Sequence, residues 1–124
     1  MSGIVYKDES YLIIGVCMEV YNHLGYGFSE IVYKDAIELE LAKSEIYFER
    51  EKEFTVSYKG RILKHKFYAD FIIYDKIILE VKCVTDFANE HVSQVLNYLK
   101  VSETKLALLV NFAKDRLQYK RIIF

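Results

Sequence analysis

The sequence predicts a single α/β (α+β) domain with element order α-α-β-β-β-α-β-β. Three observations carry this. Apolar residues recur at helical spacing as far as Glu45. From Ile46 the period drops to two. Helical spacing then returns once, between Asp86 and Lys100, with strand-like runs on either side. The 124 residues suit one domain, and an apolar share of 52% is enough for a core at that size.

In the first helix Ser10 reads as the N-cap, and Leu12, Ile13, Val16, Val20 and Leu24 form an apolar stripe. Gly25 and Gly27 end it. A second helix starts near Ser29, with Ile31, Val32, Ala36, Ile37, Leu39 and Leu41 apolar. Glu30, Lys34, Glu38 and Glu45 are assigned to its other face. Phe54, Val56 and Tyr58 alternate with polar residues, as in a half-buried strand, and Lys59-Gly60 marks a turn. Ile62 to Tyr74 and Ile77 to Val84 read as strands, their apolar runs suited to burial on both faces. Asp86 to Lys100 is a helix with Val92, Val95, Leu96 and Leu99 inward. Leu106 to Phe112 is a buried strand, and Leu117 to Phe124 alternates like an edge strand.

Composition narrows the function. The formal net charge is -1, so the chain does not carry the bulk basicity of many nucleic-acid binders. The charge is unevenly placed: residues 1–53 hold five basic and eleven acidic residues, and residues 100–124 hold six basic and two acidic. Lys100, Lys105, Lys114, Arg116, Lys120 and Arg121 are therefore candidates for backbone phosphate contact. Cys17 and Cys83 match no metal or redox spacing. The polar N-terminus is unlike a signal peptide, and the apolar stretch from Tyr11 to Met18 is too short to span a bilayer, so a cytoplasmic location is the expectation.

The chemistry concentrates in three charged residues within apolar strands. Glu80 and Lys82 interrupt Ile77 to Val84 two positions apart, so alternation puts both on one face. Asp70 interrupts the run from Phe67 to Ile73. Charges in central strands are costly unless paired or bound. Two carboxylates make a hard oxygen site suited to Mg²⁺ or Mn²⁺, and a lysine beside them can orient a water and offset developing charge. An internal ion pair of Lys82 with Glu80 or Asp70 is the alternative reading. Register imposes a condition: a two-residue hairpin loop would put Asp70 on the wrong face. A three-residue loop or a bulge is expected to bring Asp70 opposite Lys82. Gln94 and Tyr98, four apart, share a helix face and can both donate hydrogen bonds near a phosphate. His23, His65 and His91 are scattered and read as surface or partly buried residues.

Several segments together resemble the GxxExxY protein family, grouped with the PD-(D/E)XK nuclease superfamily. These are Gly27-Phe28-Ser29-Glu30-Ile31-Val32-Tyr33, Phe48-Glu49-Arg50-Glu51, Tyr68-Ala69-Asp70-Phe71, Leu79-Glu80-Val81-Lys82, Gln94 to Lys100 and Leu108 to Phe112. The resemblance runs from about Tyr11 to the end. It implies a restriction-endonuclease-like core, a central mixed sheet flanked by helices. It also implies a nuclease acting on nucleic acid, in particular DNA, with Mg²⁺ or Mn²⁺ as cofactor. Asp70 and Glu80 are implied as metal ligands, Glu30 as a further acidic residue approaching the metal, and Lys82 as the motif lysine. Gln94 and Tyr98 resemble the QxxxY helix motif. One departure is Tyr68, where the family often carries arginine. A catalytically silent module binding nucleic acid or protein is the rival expectation. A domain of this size has little surface to grip a duplex, so a homodimer or larger protein partner suits either reading.

Overall fold

The computed structural model describes residues 5–124. Its elements run α1 (Lys7–Leu24), α2 (Glu30–Lys43), β1 (Phe48–Tyr58), β2 (Arg61–Ile73), β3 (Ile77–Lys82), α3 (Asn89–Ser102), β4 (Leu106–Asn111) and β5 (Gln118–Ile123). This is the predicted order. The five strands form one mixed sheet in the order β1-β2-β3-β4-β5. Neighbours pair antiparallel except β3 and β4, which are parallel and joined through α3. A parallel pair needs such a crossover, since the end of the first strand and the start of the second lie a full strand length apart.

Alternation along β3 and β4 divides the core in two. Ile77, Leu79 and Val81, with Leu106, Leu108 and Val110, pack under Ile13, Val16, Cys17 and Val20 of α1 and under Tyr33, Ile37 and Leu41 of α2. Ile78, Ala107 and Leu109 pack under Val95, Tyr98 and Leu99 of α3. Each fully buried Leu or Ile contributes about 1.5–3 kcal/mol by leaving water. The near-continuous apolar runs of β3 and β4 follow from this double coverage.

Helix ends differ from expectation at all three helices: α2 stops at Lys43, so Glu45 lies beyond it, and α3 runs from Asn89 to Ser102 in place of Asp86 to Lys100. α1 begins at Lys7, three residues before Ser10, so Ser10 is not the cap. Its hydroxyl instead donates back to the Lys7 carbonyl at 3.0 Å and accepts from the Arg121 guanidinium, which fixes the helix against β5. Gly25 does end α1, at φ 68, where a side chain would be strained. Ser29 is the N-cap of α2 by backbone position, though its side chain makes no cap bond. Two of the assigned α2 apolar residues, Ile31 and Leu39, are exposed; the buried stripe is Tyr33, Ile37 and Leu41. No helix of the described residues is long and apolar enough to cross a membrane.

Candidate active site at the fork of β2 and β3

The β2–β3 loop is Tyr74-Asp75-Lys76, three residues long, because Ile73 pairs with Ile77. The loop condition is met, but the partner differs from expectation. Each pairing in this hairpin adds the same residue sum, so Asp70 comes level with Glu80 and not with Lys82. Ladder pairing stops at Phe71 and Leu79. Beyond it the strands fork, and the two acids replace the missing backbone bonds. The Asp70 amide donates to Glu80 Oε2 at 2.6 Å, and the Val81 amide donates to Asp70 Oδ2 at 2.8 Å. Each carboxylate is thus held by the backbone of the other strand.

Asp70 does not share the face of Glu80 and Lys82. Glu80 and Lys82 follow Ile78 on the α3 side, and Lys82 Nζ donates to Gln94 Oε1 of α3 at 3.3 Å. Asp70 lies where alternation breaks: Ala69 packs on the α3 side and Phe71 on the α1–α2 side. Opposite the break, Glu51 of β1 adopts φ 53, a left-handed conformation that costs a non-glycine residue about 1 kcal/mol or more. From this break Asp70 Oδ1 accepts from Lys34 Nζ of α2 at 2.9 Å, and the same ammonium meets Glu51 at 2.5 Å. The Lys34 side chain is 13% exposed. Burial pulls its pKa down, but the hydrogen bonds to Glu51 and Asp70 outweigh burial and raise it overall.

Electrostatics single out Glu80, which is 2% exposed. Burial and then the charge of Asp70 push its carboxyl up to about 8, against the opposing pull of the Asp70 amide and of Lys82 and Lys34. Tyr98 is buried beside Phe67, edge to face at 6.1 Å. Burial, with Glu80 and Asp70 adding to it, pushes its phenol up to about 12, so it stays a hydrogen-bond donor. Gln94 is exposed but engaged by Lys82. Tyr68, in the departure position, is 47% exposed and donates to Glu53 at 3.1 Å.

Glu30 opens α2, and its carboxylate accepts from the Cys83 amide at 3.3 Å, one residue beyond Lys82. Among the described residues, no three His, Cys, Asp or Glu side chains gather as a ready metal cluster. The acids brought together are Asp70 and Glu80. As a donor set they fit a divalent cation: two hard oxygen ligands, close enough that one carboxylate's charge suppresses ionisation of the other. Such an ion keeps several waters, so two protein carboxylates are an adequate set.

The remaining candidates separate plainly. His23 pairs with Glu19, His65 lies against Phe67, and His91 accepts the Ala88 amide at the start of α3. Cys17 is a buried core residue, its thiol pushed up to about 12 by burial. Arg121 is spent on Ser10 and the Val5 carbonyl, and Lys114 on Asp86 and the Thr85 carbonyl, so neither is a free phosphate contact. Lys34, Glu51 and Asn111 were not singled out for the site from the sequence. Lys34 had one signal: it is one turn from Glu30, on the same helix face. Asn111 is fully buried and holds both the amide and the carbonyl of Val84, extending the β3–β4 tie past Lys82.

A family model of the PD-(D/E)XK nuclease superfamily matches residues 7–122. The chain belongs to the PD-(D/E)XK nuclease superfamily. The mixed five-stranded sheet with its flanking helices is the restriction-endonuclease-like fold of that superfamily. Superfamily membership points to nuclease-type function, and PD-(D/E)XK nucleases generally use Mg²⁺ or Mn²⁺. The crystal structure of SSO0001 is similar with a TM-score of 0.52 and 19% identity, covering 94% of this chain and 78% of that one. That likeness is one of fold. No curated protein matches the chain.

Proposed function

We propose that this PD-(D/E)XK domain hydrolyses phosphodiester bonds in nucleic acid, DNA in particular, using Mg²⁺ or Mn²⁺ held by Asp70 and Glu80. The observation that carries the reading is the fork itself. Two carboxylates from adjacent strands are locked level by backbone amides, and Glu80 is buried so deeply that it ionises only with difficulty. A fold built for stability alone gains little from such a pair.

When bound, the metal supplies Lewis-acid polarisation of the phosphoryl group and a water of lowered pKa. The residues of the chain do the rest. Lys82 orients the attacking water, with its ammonium steered by Gln94. Tyr98 offers a proton-bearing hydroxyl near the carboxylates, suited to holding a phosphate oxygen. Glu30 serves as the further acid of the site, and its bond to the Cys83 amide sets the end of β3 next to Lys82. We place the chain in the GxxExxY branch. In support, Tyr33 donates to the Gly25 carbonyl at 2.6 Å and accepts the Phe28 amide at 3.2 Å, so the signature residues brace the α1–α2 link that launches Glu30.

Lys34 favours a second reading, a module that binds without hydrolysis, because its ammonium already neutralises Asp70. One experiment separates the two. Calorimetric titration with Mg²⁺ and Mn²⁺ should show binding by the wild type that vanishes in Asp70→Ala and Glu80→Ala. Labelled single- and double-stranded DNA should be cleaved by the wild type alone. Absence of metal binding by the wild type at millimolar metal would sink the hydrolytic reading and leave the binding module.

A further inference from the structure

The β1–β2 hairpin outgrows the sheet core. Residues 56–66 are exposed without interruption, from Val56 through the Lys59-Gly60 turn to Lys66. This projecting ribbon carries Lys59, Arg61, Lys64 and Lys66, together with His65, and holds no acidic residue, in a chain whose net charge is -1. Among the described residues Lys66 reaches Glu53 at 3.7 Å, while Lys59, Arg61 and Lys64 form no ion pair. Lys59 lies 5.5 Å over the Tyr58 ring. Tyr58, Ile62 and Leu63 add exposed apolar surface between the cations. The register shifts between Thr55 and Ser57, so the tip departs from a flat ladder. Such a shift strengthens the twist of a ribbon.

We propose that this ribbon is a duplex-DNA arm that lies in a groove of the substrate, with Lys59, Arg61 and Lys64 against phosphates. The inference rests on the nucleic-acid part of the function proposed above. Three physical points support it. The major groove, about 12 Å wide, admits a two-stranded β-ribbon. Lysine and arginine without protein partners release counterions when they meet phosphates. The ribbon is also continuous with the strand that carries Asp70. Lys66 is four residues from Asp70 and the turn ten, roughly 13 and 33 Å along an extended strand. One turn of duplex is about 34 Å, so a duplex placed at Asp70 can pass the whole arm within one turn. The C-terminal cations, two of which are spent internally, are secondary in this reading.

The test is fluorescence anisotropy of the full chain with a labelled duplex two helical turns long, and with the single strand of the same sequence. Chelator is present so that no hydrolysis competes. The wild type should bind the duplex more tightly than the single strand, with affinity falling steeply from 50 to 200 mM salt. A Lys59→Gln/Arg61→Gln/Lys64→Gln variant should bind the duplex more weakly at low salt and lose about 40-fold of that salt dependence, the share of three phosphate contacts. Lys64→Glu alone should move in the same direction by less, and Lys59→Arg/Lys64→Arg should match the wild type. Unchanged duplex affinity and salt slope in the triple variant would overturn the proposal. So would equal ribbon-dependent affinity for the single strand, or binding to phosphatidylserine vesicles in place of the duplex. Ribbon-dependent duplex binding without cleavage in metal would leave the arm standing and remove the hydrolytic reading. Cleavage with ribbon-independent binding would do the reverse.

Discussion

At the residue scale, the three charges that interrupt apolar strands were legible because each is expensive where it stands. Glu80 and Lys82 follow from simple alternation. Asp70 was found by the same logic, but its surroundings were not. Alternation predicts a side chain on the α3 side, and the break between Ala69 and Phe71 instead opens it to Lys34 of α2. Opposite that break Glu51 takes a left-handed backbone conformation, which no local pattern announces. Lys34 reads as part of a solvated helix face and is instead a largely buried cation.

Glu80 titrates near 4.5 when unfolded and up to about 8 when folded. Below the first value both states are protonated. Between the two, the unfolded state has released its proton and the native state has not, so stability falls as pH rises through that window. Each unit of such a rise costs about 1.4 kcal/mol. Glu80→Gln should therefore melt higher than the wild type at pH 8 without metal, and the gap should close near pH 4, as thermal denaturation across pH would show. Lys34→Ala leaves Asp70 without its ammonium partner. It should lower stability by about 1–3 kcal/mol, the cost of stranding one member of a largely buried pair, and Mg²⁺ should recover more stability in this variant than in the wild type. Differential scanning calorimetry with and without Mg²⁺ measures both effects.

At the scale of elements, order and type were readable throughout, and ends less so. β3 ends at Lys82 because Glu30 and Asn111 take over the backbone groups of Cys83 and Val84, long-range bonds invisible to a local reading. α2 misled more. Its apolar residues surround the helix, and only packing decides that Tyr33, Ile37 and Leu41 face inward while Ile31 and Leu39 face water. Tyr33 is the element's anchor: fully buried, stacked on Phe112 at 4.4 Å, with its hydroxyl bonded at both sides of the α1–α2 link. Tyr33→Phe keeps the stacking and strands the Gly25 carbonyl and Phe28 amide. A loss of about 1–3 kcal/mol is expected in urea unfolding, with an unchanged m-value. Because Glu30 starts the next turn, the amide of Cys83 should also exchange faster with solvent deuterium in this variant.

At the scale of the whole molecule, the fold was legible from one switch of period and its single return. The sheet is two antiparallel hairpin systems joined by one parallel crossover; the proposed carboxylates and Lys82 sit on the β3 side of that junction, and Gln94 and Tyr98 ride on the crossover helix itself. Metal binding and folding are therefore coupled. At a hundredfold excess over its dissociation constant, a bound ion adds about 2.7 kcal/mol to stability, or roughly 10 °C in melting temperature for a domain of this size. Mg²⁺ should raise the melting point of the wild type by that order and leave Asp70→Ala unmoved.

The fork also bears on how the protein folds. Asp70 and Glu80 are ten residues apart, within a single hairpin. Closing a loop of that size takes on the order of 10–100 ns, and its entropy cost is small. Lys82 meets Gln94 only after the chain has turned back through α3, and β4 must then insert beside β3. The acids thus belong to the low-contact-order part of the chain and the basic half of the site to a later, longer-range step. Damage to the C-terminal half would reach the partner of Lys82 first and leave the carboxylate lock among the last features to fail.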